Sequence, residues 1–278
     1  MGLDLCILGS ESQILKDQMA RRKYGTNLPS PFLKSLKVDT EKMAEMSGYP
    51  FNLPWLQTKG FEVGFSTPVT IIIGENGTGK STLLEAIAAL CGYDEAGGGK
   101  GYMPMDHSRA IDKSGANLAR VLRASWLPKV TSGWFFKAES FFSVARYLDE
   151  AALDDPSGGP PPDFLSWSHG EGFVRFFEER MSKQGIYFMD EPESALSPKR
   201  QLALLRILSR IQSAKNAQVI MATHSPILMA LPNARVLEIS RFGLEEIDYQ
   251  NTAHFKFYQS FISDPEQFIS DAMQDDDF

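Results

Sequence analysis

The chain has 278 residues, of which 43% are apolar and 23% are charged, a composition typical of a globular protein with a sizeable core. Its formal net charge of −7 argues against a surface built for non-specific binding to nucleic acid, and it leaves such binding open without supporting it. The two cysteines have no disulfide or metal-ligand spacing, no apolar run is long enough to span a membrane and no signal peptide is recognisable, so we expect a cytoplasmic protein without membrane insertion.

Residues 1–48 combine a short apolar start with many residues that favour turns. We interpret them as an N-terminal extension that wraps around the core. The alternating run Phe61–Phe65 predicts a strand that leads towards a second one. That second run, Val69–Ile73, is β-branched throughout, which favours a strand buried on both faces of a parallel sheet.

A glycine-rich motif of the form G-x-x-x-x-G-K-[ST] follows this strand and precedes an amphipathic helix, which is the context that a phosphate-binding loop requires. The motif and the residue after it are Gly74, Glu75, Asn76, Gly77, Thr78, Gly79, Lys80, Ser81 and Thr82. The glycines let backbone N–H groups point at anionic oxygens, and the helix N-terminus adds its partial positive charge. We expect Lys80 to reach the β- and γ-phosphates of ATP and Ser81 to ligate Mg²⁺. A glycine-rich turn with a surface lysine is the alternative.

The helix after this motif is predicted to end at Gly92, in a left-handed conformation. The polar stretch that follows, to about Pro128, is poorly patterned and predicts no regular element. Gly133–Ala138 predicts a strand, and a helix is predicted to start at Glu139. The proline- and glycine-rich tract 154–162 predicts a loop.

Two further apolar strands are predicted, and each is followed by polar residues. Ile186–Glu191 ends in the paired carboxylates Asp190 and Glu191, and Gln218–Ala222 leads to His224. Apolar strands separated by helices predict an α/β fold with a mostly parallel sheet, whose ligands bind outside the carboxyl ends of the strands. The glycine-rich motif, the carboxylates and the histidine should therefore meet at one edge.

The expected roles of these groups follow from phosphoryl-transfer chemistry. Asp190 would hold Mg²⁺, directly or through water, and Glu191 would orient and deprotonate the attacking water. His224 would sense the γ-phosphate. Two acids that cap a turn, and a histidine that is satisfied within a turn, are the alternatives. Ser197 and Pro198 are predicted to start the helix between the two strands.

The order of the motifs resembles an ABC-type ATPase head of the SMC/RecF/OLD-like branch, including small stand-alone bacterial predicted ATPases. The motifs are the glycine-rich loop, Ser168-His169-Gly170-Glu171, the strand with Asp190-Glu191, Ser194-Ala195-Leu196-Ser197, and His224. The resemblance implies a P-loop NTPase fold with a mostly parallel central sheet flanked by helices and an N-terminal β or extended portion. It also implies one ATPase domain over residues 49–268, with a helical signature subdomain inserted at about 93–182 and an acidic tail at 269–278.

The resemblance further implies a shared site. Ser168, Gly170 and Glu171 would belong to a signature that contacts the γ-phosphate bound by a second copy, so that two copies close head-to-tail over two ATP molecules. A plain helix N-cap at Ser168 has the same geometry and stays open. Glu139 stands where related proteins carry a glutamine that contacts Mg²⁺ and the attacking water, and the resemblance therefore implies that Glu139 is a further Mg²⁺ ligand. His169 and Ser197 also depart from the family pattern, where glycine and aspartate are usual.

The expected function is therefore a Mg²⁺-dependent ATPase whose ATP-gated homodimer drives an unidentified effector protein, in DNA repair or anti-phage defence. A nucleotide-switched scaffold or regulatory subunit with little turnover is the alternative. The ATPase subunit of a transporter is a third, less favoured one. The segment between Ser81 and Ser168 has no sustained heptads, which excludes a long coiled-coil arm in that segment.

Overall fold

The computed structural model describes residues 26–58, 60–100, 114–138 and 169–274, except the side chains of residues 169–171. The strands are β1 (Leu33–Val38), β2 (Glu62–Gly64), β3 (Val69–Ile73), β4 (Gly98–Gly99), β5 (Leu122–Trp126), β6 (Gly133–Lys137), β7 (Gly185–Asp190), β8 (Ala217–Ala222), β9 (Arg235–Ser240) and β10 (Gly243–Glu246). The helices are α1 (Thr40–Met43), α2 (Lys80–Cys91), α3 (Ser114–Ala119), α4 (His169–Met181), α5 (Pro198–Ala214), α6 (Pro226–Met229), α7 (Ala253–Ser263) and α8 (Pro265–Ala272). Short 3₁₀ helices lie at Pro54–Gln57, Pro192–Ala195 and Tyr249–Asn251.

The larger sheet has seven strands in the order β10-β9-β3-β8-β7-β6-β4. Its five central strands are parallel to their neighbours, and only the edge strands β10 and β4 pair antiparallel. Helices cover both faces, so every residue of β3, β7 and β8 is buried. The predicted mostly parallel α/β sheet is confirmed.

The side chains of the central strands pack alternately into two separate cores. Ile72 and Phe188 belong to the core that includes α2, whereas Ile71 and Tyr187 belong to the core that includes α4 and α5. Successive residues of a strand point to opposite faces, so one continuous apolar run supplies both cores.

The topology brings three strand ends together. Strand β8 lies between β3 and β7, and all three run parallel. The N–H of Thr223 donates to the carbonyl of Ile72 (3.2 Å), and the N–H of Glu191 donates to that of Ala222 (3.0 Å). The residues that follow β3, β8 and β7 therefore emerge side by side at one sheet edge.

Residues 1–48, interpreted as an N-terminal extension, contribute a strand to the smaller sheet, in line with the β or extended portion that the resemblance implies. Within that range β1 is the central strand of an antiparallel sheet, between β2 and β5. The buried Gln218 side chain of β8 accepts hydrogen bonds from the N–H groups of Phe32 and Leu33, both at 2.8 Å. The local pattern missed β1 because its partner β5 lies far along the chain. The strand predicted over Phe61–Phe65 is present as β2 and pairs with β1.

The range 93–182 is described only in part, and that part includes the strand predicted over Gly133–Ala138. Its described part contains β4, α3, β5 and β6, and β6 pairs parallel with β7 inside the main sheet. The predicted helix at Glu139, the tract 154–162 and Ser168 lie outside the described residues. Helix α4 begins at His169. At the other end of the chain, α8 extends past residue 269, the predicted start of the acidic tail. Asp264 caps the N-terminus of this helix by accepting a hydrogen bond from the N–H of Gln267 (3.1 Å).

Other local predictions are confirmed. Gly92 follows α2 in the left-handed region, with φ 86°. Ser197 stands at the N-cap position of α5 and Pro198 is its first residue, although the Ser197 side chain makes no capping hydrogen bond. Over the described ranges, no helix is both long and apolar enough to cross a membrane.

Candidate active site

The glycine-rich loop between β3 and α2 follows a path that requires glycine. Gly74, Gly77 and Gly79 have φ values of 149°, 77° and 90°. A Cβ at Gly74 would lie 2.5 Å from Cγ2 of Ile239, and one at Gly79 would lie 2.9 Å from Cδ1 of Leu53. Positive φ accounts for all three glycines, and close approach adds to it at Gly74 and Gly79.

Lys80 lies inside this loop. Its ammonium donates to the carbonyl oxygens of Gly74 (2.7 Å) and Glu75 (2.9 Å), and its side chain is buried. Burial lowers the pKa of Lys80, while the charges of Glu191 and Asp190 raise it. The positive charge thus stands where the loop N–H groups and the first turn of α2 would meet an anion.

Two aromatic residues brace the loop. The indole N–H of Trp55 donates to the carbonyl of Thr78 (2.8 Å), and the hydroxyl of Tyr49 lies 2.6 Å from Oγ1 of Thr82. Sequence reasoning missed both residues because they lie in a stretch dominated by turn signals. Their aromatic character so close before the loop was the one usable signal.

Ser81 and Asp190 form the pair that fits a magnesium ion. The Ser81 hydroxyl donates to Oδ1 of Asp190 at 3.1 Å. A hydroxyl and a carboxylate are hard oxygen ligands, and Mg²⁺ usually keeps several waters and binds few protein groups together with substrate phosphates. Across the described ranges no cluster of three or more His, Cys, Asp or Glu side chains could hold a metal ion. Glu139, the other expected ligand, lies outside them.

Burial dominates the electrostatics of Asp190. It raises the pKa of this carboxyl to about 6, while the Lys137 charge and the hydrogen bond from Ser81 act in the opposite direction. Desolvation disfavours the charged form. A cation placed between Ser81 and Asp190 would favour it again.

A buried ion pair beside these residues was not expected from the sequence. Lys137, opposite Asp190 in the pairing of β6 and β7, contacts Glu85 of α2 at 2.7 Å, with 8% and 11% of the two side chains exposed. The usable sign in the sequence was a charged residue within each apolar pattern, Lys137 in that of β6 and Glu85 in that of α2. A cleft of about 930 Å³ opens here, bounded by Ser81, Lys137, Asp190 and the turn Ser194–Ser197.

Glu191 faces this cleft from a strained position. It is one of the few non-glycine residues with positive φ in the described ranges, at φ 45° and ψ 53°. Its side chain is 42% exposed, and Oε1 lies 3.7 Å from Nε2 of His224. A carboxylate in this position can accept a hydrogen bond from water in the cleft.

His224 is held at its backbone and at one ring nitrogen. Its N–H donates to Oε1 of Glu193 (2.6 Å), and Nδ1 lies 2.8 Å from Nε2 of His254. The other nitrogen, Nε2, is buried and has no hydrogen-bond partner among the described residues. Burial, followed by the charge of Lys80, lowers the pKa of His224, and burial raises the pKa of Glu193. No local pattern in the sequence identifies Glu193 or His254 as a partner of His224.

The structure therefore brings Lys80, Ser81, Asp190, Glu191 and His224 to one sheet edge. Of the residues expected to act from a second copy, Gly170 and Glu171 lie in the first turn of α4, and Ser168 lies outside the described residues.

Two family models match two separate segments of the chain, and both segments contain residues of this site. One, described as “AAA domain, putative AbiEii toxin, Type IV TA system”, matches residues 160–230, and another, described as “AAA domain”, matches residues 53–122. Both models are described as AAA domains, and each covers about a quarter of the chain. The first match includes the Asp190–Glu191 and His224 segments, and the second includes the glycine-rich loop. No curated protein matches the sequence.

Several solved structures are similar to the chain at low identity. A protein described as “a putative metal-chelate type ABC transporter”, in an inward-facing conformation, is 17% identical, with a TM-score of 0.47 over 81% of this chain and 88% of that one. The SMC head domain from Thermotoga maritima is 16% identical, with a TM-score of 0.41 over 78% and 99%. An SMC head bound to the C-winged helix domain of ScpA is 14% identical, with a TM-score of 0.41 over 78% and 97%.

Proposed function

We propose that this protein is a Mg²⁺-dependent ATPase. The observation that carries the proposal is the contact between Ser81 and Asp190, which lies beside the buried ammonium of Lys80 and opens into the cleft that Glu191 faces. The loop N–H groups and Lys80 would bind the phosphates. A bound Mg²⁺, held by Ser81 and Asp190, would neutralise charge on the β- and γ-phosphate oxygens.

Two further residues complete the chemistry. The Glu191 carboxylate would accept a hydrogen bond from the attacking water and take its proton. The unpartnered Nε2 of His224 would donate a hydrogen bond to an oxygen of the γ-phosphate. The backbone contact to Glu193 keeps His224 at the end of β8.

We also propose that efficient turnover needs two copies. In a head-to-tail homodimer, Ser168, Gly170 and Glu171 of each copy would complete the site of the other. The start of α4 at His169 supports this, because a helix N-terminus offers N–H groups to a phosphate. One copy would then bind ATP, and two would hydrolyse it.

The dimer would drive an effector protein in DNA repair or anti-phage defence, in the cytoplasm. The description of one matching family model names a toxin and a type IV TA system, which supports a setting with an effector. The alternative is a nucleotide-switched scaffold that controls its effector with little turnover. The departures at Glu139, His169 and Ser197 favour it, and ATP-dependent assembly with one partner at negligible turnover would establish it.

Glu191→Gln tests the ATPase proposal. Loss of the base should reduce kcat by about 10²- to 10⁴-fold, the range typical of general-base catalysis, and ATP binding should persist. Phosphate release and calorimetric ATP titration measure the two effects. The matched control is Glu245→Gln, which removes an exposed carboxylate on β10 and should leave both unchanged. Turnover that survives in the Glu191 variant contradicts the assigned base.

Mixing two inactive variants tests the shared site. Lys80→Ala removes phosphate binding and Ser168→Arg blocks the opposite wall, so neither variant alone should turn over ATP. A mixed dimer contains one site with an intact Lys80 and an intact Ser168, so mixing should restore part of the activity. If activity does not return although sedimentation detects mixed dimers, the site is not shared.

A further inference from the structure

The ring of His224 is contacted by a second histidine that no motif points to. His254 is the second residue of α7, and its Nε2 lies 2.8 Å from Nδ1 of His224. The remaining ring nitrogen of His224, Nε2, is buried and faces Glu191 at 3.7 Å. One ring nitrogen of His224 thus contacts His254, and the other faces the carboxylate of Glu191.

The start of α7 fixes the position of His254. Thr252 caps the helix by accepting a hydrogen bond from the N–H of Phe255 (3.1 Å), and its own hydroxyl donates to the carbonyl of Tyr249 (2.7 Å). The rings of Tyr249 and Phe255 also meet edge to face, with centroids 5.4 Å apart. Thr252 is fully buried, so His254 projects from an anchored helix terminus.

Two neutral imidazoles in this contact share one hydrogen, so one ring donates and the other accepts. The surroundings of His224 Nε2 determine which. That nitrogen faces the carboxylate of Glu191, and the proposed function adds a γ-phosphate oxygen, so both neighbours are acceptors. The nearby ammonium of Lys80 is bonded to the carbonyls of Gly74 and Glu75. A hydrogen on Nε2 is therefore favoured, which leaves Nδ1 as the acceptor.

We propose that His254 is a positioning residue that donates its Nε2–H to Nδ1 of His224 and so fixes the tautomer in which His224 can donate to the γ-phosphate. The inference rests on the proposed ATPase function for its consequence, but the tautomer itself is a property of the nucleotide-free protein. His254 acts through His224 and does not touch the substrate. The hydrogen bond also fixes the rotation of the ring, which the backbone contact to Glu193 leaves free.

Nitrogen NMR of the histidine rings tests the tautomer without any turnover. The chain has four histidines, so ¹⁵N-labelled protein gives few signals, and a His224→Gln variant assigns the one that matters. At mildly alkaline pH we expect His224 to carry its hydrogen on Nε2 in the wild-type protein and to become a mixture of tautomers in His254→Leu. A hydrogen on Nδ1 in the wild type, or the same spectrum in both proteins, overturns the proposal.

Kinetics test the consequence. His254→Leu should lower kcat about tenfold, the equivalent of one hydrogen bond, without changing ATP affinity. His254→Gln places an amide N–H near the original donor and should restore most of the rate. Lys256→Leu, on the exposed side of α7, is the control and should have no effect. Equal losses for Leu and Gln at position 254 overturn the positioning role.

A double variant separates this role from general damage to α7. In a His224→Gln background, His254→Leu should cause no further loss of kcat, because its effect passes through His224. Losses that multiply overturn the inference. If the wild-type protein does not hydrolyse ATP, the proposed function fails, and the NMR result still decides whether His254 sets the tautomer.

Discussion

The central parallel strands and the C-terminal helices α7 and α8 differ in how deeply their residues are buried. Every residue of β3, β7 and β8 is buried, whereas no residue within α7 or α8 is. The two helices also leave large apolar side chains exposed, among them Phe257 at 48% and Ile262 at 71%. Rigid strands can hold phosphate-binding groups in register, while a lightly packed helix pair can shift without unfolding the sheet.

The largest expected difference between the two regions is in packing energy. Phe188→Ala removes a fully buried ring from β7 and should lower the free energy of unfolding by about 3–5 kcal/mol. Phe257→Ala removes a ring that is 48% exposed and contacts Phe268, and should lower it by about 0.5–1 kcal/mol. Urea unfolding measures both. Similar losses would mean that α7 is as tightly integrated as the sheet.

The sequence predicts the buried central strands better than it predicts the contacts between distant segments. The apolar runs of β3, β7 and β8 are local signals, and the residues that follow them are brought together by the parallel topology alone. That is why Lys80, Ser81, Asp190, Glu191 and His224 could be expected at one edge.

The missed features depend on contacts between distant segments. Strand β1 needs β5, Glu85 needs Lys137, and His224 needs His254 from a separate helix. None of these pairs has a fixed sequence spacing, so no periodicity reveals them. A charged residue inside an apolar pattern was the one local sign, and it marked the ion pair without naming its partner.

The buried ion pair makes the sheet edge sensitive to single substitutions. Lys137→Met leaves the Glu85 carboxylate without this ammonium at 11% exposure, and should destabilise the protein by about 3–4 kcal/mol. The double variant Glu85→Gln with Lys137→Met removes both charges and should recover most of that loss. Thermal and urea unfolding test this. If the double variant is no more stable than Lys137→Met, the loss in the single variant does not come from the uncompensated charge of Glu85.

Two glycines of the phosphate loop give a matched comparison within the site. Gly77→Ala meets nothing within 4 Å and should lose about 1–2 kcal/mol from its left-handed backbone alone. Gly74→Ala adds a Cβ only 2.5 Å from Cγ2 of Ile239 and 2.8 Å from its carbonyl oxygen. We expect Gly74→Ala to be the more destabilised and to lose ATP binding, while Gly77→Ala keeps weakened binding. Calorimetric titration and unfolding compare them, and equal losses would remove the steric explanation.

The smallest effect on stability is expected at the ion pair of the small sheet, where Asp39, which follows β1, and Arg123 of β5 lie 2.8 Å apart. The hydrogen bond from Arg123 is the main cause that lowers the pKa of Asp39. A carboxyl whose pKa is lowered by folding stabilises the protein above its unfolded pKa, and this contribution is lost as pH falls through the folded pKa. Arg123→Gln should therefore be slightly less stable than the wild type at neutral pH and equal to it in acid, below both pKa values.

Urea unfolding at the two pH values measures the difference, which should also shrink in high salt because Arg123 is exposed. A deficit that persists unchanged in acid would mean that Arg123 contributes through packing rather than through its charge.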